Sequence, residues 1–226
     1  MTVDWNEEVA GIRALRASRT RIGAGENPAV VVVDFQKAFT QHEKCGSTAL
    51  DAVTHTAELL DAARAAQVPV VFLVVILDSL DDRMLAQRVR SSLTEVCERG
   101  NPWTEMHPLL PVADTDHVVE KTVASGFYET RLHELLQSLE VDEIIMTGTS
   151  TSGCVRATVV DAAYRNYRVS VVEECVDDFR TLSGEVALWD MQDRYADVVT
   201  KDETMERLAA LARERSAHGV AAGRPS

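Results

Sequence analysis

The sequence predicts an α/β fold: a doubly wound, six-stranded, mostly parallel sheet with helices on both faces. Three observations lead there. Short β-branched runs such as Ala29-Val30-Val31-Val32-Val33 show no apolar–polar alternation, the mark of strands buried on both faces. Between them lie stretches with apolar residues at helical spacing, such as Leu50, Val53, Ala57, Leu60 and Ala63. Strands that alternate with helices through right-handed crossovers pack compactly only as a parallel sheet with helices on both sides.

The elements follow in order. Residues 2–28 form an N-terminal arm that opens on a short helical stretch. It passes Arg13, Arg16, Arg19 and Arg21 and ends at the breaker Gly23-Ala24-Gly25-Glu26-Asn27-Pro28. With so few apolar residues the arm does not fold alone, so it lies across the domain, crosses to a neighbouring subunit, or frays. The main domain is expected over 29–215. Its strands are 29–33, 69–77, 117–121, 143–147, 168–174 and a short edge strand at 197–200. Helices are expected over 48–67, 129–139, 154–163, 184–194 and 203–215, and residues 78–99 are polar and helix-prone. Gly100-Asn101-Pro102-Trp103 opens a long connection of the kind that serves as a lid or subunit contact. The tail 216–226, rich in Ala, Gly and Arg, is expected to be disordered.

Composition narrows the function. The chain of 226 residues is large enough to bury a core without disulfides or metals, and its formal net charge is −13. With a pI near 4.9, nucleic acid and anionic membranes are not expected partners. Cys45, Cys97, Cys154 and Cys175 show neither C-x-x-C nor zinc-finger spacing. They read as reduced thiols of a cytoplasmic protein. Met1 to Gly11 lacks the pattern of a secretory signal, and the apolar run Val68–Leu77 is too short to span a bilayer.

Three reactive side chains fall at the carboxyl ends of predicted parallel strands: Asp34, Lys121 and Cys154. In open α/β sheets that edge is where ligands bind. Each also has a plainer reading. Asp34 can cap the next turn, Lys121 can snorkel to solvent, and a lone cysteine is most often a small apolar packer. Cys154 stands where the strand Glu143–Thr147 turns into a helix, and unpaired N–H groups there favour a thiolate. Gly148 and Gly153 have the spacing of phosphate-loop glycines, but Cys154-Val155 replaces the Lys and Ser/Thr that such a loop needs. His42 has no second histidine near enough to form a ligand pair and reads as solvated. Cys175 reads as packing.

Four segments carry a family resemblance: VVVVDFQKAFT around Asp34, VVEKTVASGFYET around Lys121, GTSTSGCVRATVVDAAYR around Cys154, and LWDMQDRYADVV near the C-terminus. The chain resembles the isochorismatase-like cysteine hydrolases over nearly its whole length. It is most similar to the branch of N-carbamoylsarcosine amidase and maleamate amidohydrolase. The resemblance implies a triad of Cys154 as nucleophile, Asp34 as proton acceptor and Lys121 as stabilising cation, with the ammonium and helix terminus lowering the thiol pKa. It also implies a cis peptide at Thr149–Ser150 and an oxyanion hole made by the N–H groups of Ser150 and Cys154. The implied activity is hydrolysis of an amide or ureido C–N bond through a thioester. Because the Asp-x-His motif of nicotinamidases is missing after Asp34, no metal and no cofactor are expected.

Phe39, Trp103 and Phe127 are the expected pocket walls. Phe179 falls where the carbamoylsarcosine-like branch carries a carboxylate-binding arginine, with Arg180 beside it as a substrate-binding candidate. A lactam opened as in streptothricin hydrolase is the alternative reaction, suited to a cationic substrate and an acidic protein. A non-catalytic binding member of the fold is the alternative of another class. The arm and the resemblance together suggest a homodimer or homotetramer.

Overall fold

In the computed structural model, residues 5–42, 49–78 and 96–222 are described. Cys45 and most of the helix-prone stretch 78–99 lie outside them. The sheet is built from β1 (Pro28–Val33), β2 (Val70–Val75), β3 (His117–Lys121), β4 (Glu143–Thr149), β5 (Arg168–Asp177) and β6 (Asp197–Val199). Its order is β3-β2-β1-β4-β5-β6, and every neighbouring pair is parallel. The chain therefore winds outward first on one side of β1 and then on the other. The point where the direction reverses lies between β1 and β4, and a crevice at their carboxyl ends follows.

The α-helices are α1 (Trp5–Ala17), α2 (Lys37–Thr40), α3 (Leu50–Ala65), α4 (Leu132–Ser138), α5 (Arg156–Ala163), α6 (Thr181–Arg194) and α7 (Lys201–Ala222), and a 3-10 turn (Pro102–Thr104) and a π-helical turn (Thr151–Val155) lie between them. Alternate residues of β1 divide between two cores. Ala29, Val31 and Val33 pack with Leu132 and Leu136 of α4, Val159 of α5 and Met191 of α6. Val30 and Val32 pack with Leu59 and Leu60 of α3 and Leu208 of α7. Val30 through Val33 have no exposed surface, and burying each such side chain is worth roughly 1.5–3 kcal/mol. That is why these strands carry no polar face.

The arm lies on its own domain. Arg13 pairs with Glu185 of α6 at 2.5 Å, Arg16 reaches Glu185 and Glu173, Arg19 pairs with Asp193, and Arg21 pairs with Glu203 of α7 at 2.8 Å. The Ile22 and Gly23 N–H groups then donate to the Asp197 carboxylate, at 2.8 and 2.7 Å. Charge pairing, rather than apolar burial, holds this segment.

Two boundaries differ from expectation in ways that matter. The last helix continues through Ser216 to Ala222 instead of giving way to a disordered tail. Arg215 fixes it there by donating to the Ala66 and Gln67 carbonyls at the end of α3, at 2.9 and 2.6 Å. β4 also runs two residues further than its apolar run, to Thr149. Gly148 makes that extension feasible: its φ is +127°, and a Cβ there would overlap the Val33 backbone.

Candidate active site

Asp34 follows β1 directly, in a left-handed conformation with φ of 53°. Its N–H donates to the Leu73 carbonyl at 3.1 Å, which fixes the carboxylate above the β1–β2 edge. Lys121 is the last residue of β3, in register with Val75 of β2. Its Nζ donates to Asp34 Oδ2 at 2.7 Å and to the Val123 carbonyl at 3.1 Å. Asp34 and Lys121 are 1% and 2% exposed, so this ion pair sits in a dry environment. Asp34 Oδ1 is buried and has no hydrogen-bond partner.

Cys154 completes the group from the other side of the switch point. After β4 the chain makes one π-helical turn, Thr151–Val155, before α5 begins. The Gly153 and Val155 N–H groups both donate to the Ser150 carbonyl, at 3.0 and 3.2 Å. The Thr149–Ser150 peptide is cis. Ser152 N–H donates to Asp178 Oδ2 at 2.6 Å, tying this turn to the end of β5. Within it, Cys154 is half-buried, and its thiol interacts with both the Asp34 carboxylate and the Lys121 ammonium.

The electrostatics correct one expectation. The Cys154 thiol is pushed up to about 12, not down. Burial is the dominant cause; Lys121 opposes it and the Asp34 charge adds to it. Burial likewise raises the Asp34 carboxyl above its ordinary range, against the pull of Lys121. For Lys121, burial acts to lower the ammonium pKa, but Asp34 and Cys154 together outweigh it and the net shift is upward. The resting group is thus a carboxylate–ammonium pair beside a protonated thiol.

The other candidates fall in different places. Phe39, on α2, is buried in a cluster with Ala38, Val75, Leu77, Val96 and Cys97, with Trp103 packed against it. Both aromatics therefore stand at the carboxyl end of β2, on the triad's edge. His42 is not simply solvated, because its ring meets Trp103 edge-on with centroids 4.8 Å apart. Phe127 is turned elsewhere: it stacks on Tyr167 at 6.1 Å, beneath the Arg165 guanidinium at 4.8 Å. Those partners follow the C-terminus of α5, the end away from Cys154, and Phe127 is part of the core cluster on that face of the sheet. Arg180 immediately precedes α6, exposed, with its N–H on Asp178 Oδ1 at 3.3 Å.

Two contributors escaped the sequence reading. Gln36 is fully buried and bridges three chain segments. Its amide nitrogen donates to the Val75 and Thr104 carbonyls at 3.1 and 2.9 Å, while its oxygen accepts from Val75 N–H at 2.7 Å. It thereby fastens the Trp103 segment next to Asp34. Asp178 holds the π-turn as described. The only hint of either was a polar residue just beyond a strand end. Among the described residues no group of three or more His, Cys, Asp or Glu side chains is arranged to hold a metal ion, and no helix is long and apolar enough to cross a membrane.

The Isochorismatase domain model matches residues 28–203. The chain belongs to the isochorismatase family. It is 33% identical over 196 residues to maleamate amidohydrolase of Pseudomonas putida, covering 85% of this chain and 92% of that one. It is 29% identical over 202 residues to N-carbamoylsarcosine amidase of an Arthrobacter species, covering 87% of this chain and 76% of that one. Among solved structures, a cysteine hydrolase from Pseudomonas syringae superposes with a TM-score of 0.80 at 27% identity, covering 86% of this chain and 99% of that one. In this isochorismatase-family chain the group Asp34, Lys121 and Cys154 lies at the crevice of the six-stranded parallel sheet.

Proposed function

We propose that this protein is a cysteine-dependent amidohydrolase that cleaves an amide or ureido C–N bond of a small molecule through a thioester. The observation that carries the reading is the buried Lys121–Asp34 pair, 2.7 Å apart, whose carboxylate also presents an oxygen to the Cys154 thiol as a hydrogen-bond partner. An oxygen so placed is the acceptor for the thiol proton.

In the proposed reaction Asp34 takes the proton from Cys154 as sulfur attacks the substrate carbonyl carbon. The resulting oxyanion is held by the N–H groups of Ser150 and Cys154; one such donor is typically worth on the order of 3 kcal/mol in the transition state. Collapse breaks the C–N bond, and the leaving nitrogen receives the proton from Asp34. Water then attacks the thioester, Asp34 accepts its proton, and the acid departs as sulfur regains a proton. Lys121 balances the negative charge throughout. Phe39 and Trp103 wall the substrate, and the exposed Arg180 guanidinium is available to a substrate carboxylate.

The names of the relatives choose the first substrates to test. Ammonia release is measured with N-carbamoylsarcosine, maleamate, biuret and simple amides, beside Cys154→Ala, with lactam opening of a streptothricin followed by mass spectrometry. Turnover of one compound that disappears in Cys154→Ala supports the reading and selects the substrate. Turnover that survives in Cys154→Ala refutes it, and an unreactive panel favours a binding protein.

A further inference from the structure

The Lys121 ammonium and the Cys154 thiol come from separate crossovers on opposite sides of the switch point. Their relative position depends on whatever joins those crossovers. After β3 the chain passes through residues 122–130, and Val123 of this segment already receives a hydrogen bond from Lys121 Nζ. Three residues further on, Gly126 N–H donates to Thr158 Oγ1 of α5 at 3.0 Å. The same hydroxyl donates to the Cys154 carbonyl at 2.7 Å.

A threonine bonding the carbonyl four residues back is ordinary in helices. A threonine with no exposed surface whose hydroxyl also accepts from another crossover is not ordinary. One turn along α5, Asp161 makes a second link, to the Ser125 hydroxyl, which itself accepts from Phe127 N–H at 3.2 Å. Gly126 lets the segment lie this close, since a Cβ there would overlap Leu73 of β2. The segment is therefore held from below by the sheet and from the side by α5.

We infer that Thr158 is a positioning residue: its hydroxyl fixes the Lys121-bearing segment against the backbone of Cys154 and so sets the distance from ammonium to thiol. This rests on the proposed roles of Lys121 and Cys154. Thr158 touches neither substrate nor reacting atoms and acts through the two residues it joins. With the hydroxyl removed, the Gly126 N–H loses its acceptor, the segment relaxes away from α5, and the ammonium stabilises the thiolate less.

The test uses the full chain and iodoacetamide as the probe. The alkylation rate of Cys154 at pH 9 is followed by mass spectrometry, with thermal melting as the check on folding. Thr158→Val keeps the shape and loses the hydroxyl, and its alkylation should be roughly tenfold slower, within the range that small misplacements produce. Thr158→Ser should return to within about twofold of the wild-type rate, because it restores the hydroxyl that positions the segment. In the charge-free Asp34→Asn/Lys121→Met background, Thr158→Val should change nothing, which a general packing defect would not reproduce. If Thr158→Val does not fold, Thr158→Ala is read in the same way. A wild-type rate in Thr158→Val, an equal loss in Thr158→Ser, or a loss that persists in the charge-free background overturns the inference. None of these outcomes depends on turnover, so survival of hydrolysis in Cys154→Ala would refute the proposed function separately.

Discussion

Lys121→Met removes one charge of a buried pair while keeping much of the side chain's volume. Asp34 is then left as a carboxylate with 1% exposure and no cation beside it. Breaking a buried ion pair in this way costs about 3–5 kcal/mol. For a domain of this size each kcal/mol lowers the melting temperature by about 2–4 °C, so the variant should melt roughly 6–20 °C below wild type at pH 7. The deficit should depend on pH in a set direction. Burial already raises the Asp34 carboxyl, and Lys121 and the Cys154 hydrogen bond oppose that shift; in the variant only the Cys154 contact still opposes burial, and the carboxyl rises further. An acid whose folded value exceeds its unfolded value, about 3.9, holds its proton longer in the folded state. Stability is then lost as pH rises above about 3.9, at up to about 1.4 kcal/mol per pH unit. Because the wild-type carboxyl is itself raised, the deficit should be smallest at acid pH and grow with pH over the range in which Asp34 has ionised in wild type and still holds its proton in the variant. Asp34→Asn/Lys121→Met, which leaves no charge, should recover much of the loss. Urea unfolding of wild type and both variants from pH 4 to pH 8 measures all of this. A Lys121→Met deficit below about 1 kcal/mol at pH 7, or one independent of pH, would refute the reasoning.

Three further outcomes are expected. Gln36→Leu strips the Val75 N–H, the Val75 carbonyl and the Thr104 carbonyl of their buried partner, and urea unfolding should show a loss of about 3 kcal/mol or more. Alkylation of Cys154 by iodoacetamide should be slow at pH 7 and rise about tenfold per pH unit to pH 10, because burial pushes the thiol up to about 12; a plateau below pH 8 would contradict it. Burial lowers the His107 pKa, and its Nδ1 accepts from Leu109 N–H at 3.2 Å. The folded state thus takes up its proton later than the unfolded chain, and stability present above about pH 6.5 is lost as pH falls below that value. In His107→Gln the slope of unfolding free energy between pH 5 and pH 7 should be shallower.

Much of the fold was legible because parallel strands buried on both faces need unbroken apolar runs, and β1, β2 and β4 have them. The positions of Asp34, Lys121 and Cys154 were legible for the same reason: each stands where such a run stops. What remained hidden depended on distant partners. The tail from Ser216 has the composition of a disordered segment, yet the carbonyls at the end of α3 give Arg215 an anchor. Phe127 has the look of a pocket aromatic, but Arg165 and Tyr167 meet its ring. Gln36 could not be read because its value lies in the ends of two segments far along the chain. Sequence placed a cation and a helix terminus beside Cys154, both of which favour thiolate. It could not show how far the fold withdraws the thiol from water, and that burial sets the sign of the shift.

A raised thiol pKa is no obstacle to the proposed reaction once the charges are followed through it. At rest the Lys121 ammonium is paired with the Asp34 carboxylate, and the thiol is neutral, so the buried group carries no net charge. When Asp34 takes the thiol proton, the carboxyl becomes neutral and the ammonium is paired with the thiolate. As sulfur attacks, the negative charge moves on to the oxyanion. Lys121 thus faces one anion at every stage, and no stage leaves a lone charge in the dry site, where its cost would be several kcal/mol. The raised values of Asp34 and Cys154 act together here. A carboxyl lifted by burial is a stronger base toward the thiol, while a thiol lifted by burial yields a more nucleophilic sulfur once its proton has gone. A permanently ionised Cys154 would instead compete with Asp34 for the same ammonium before any substrate arrived. The enclosure that opposes a resting thiolate is therefore the condition under which transfer of a single proton can start the reaction.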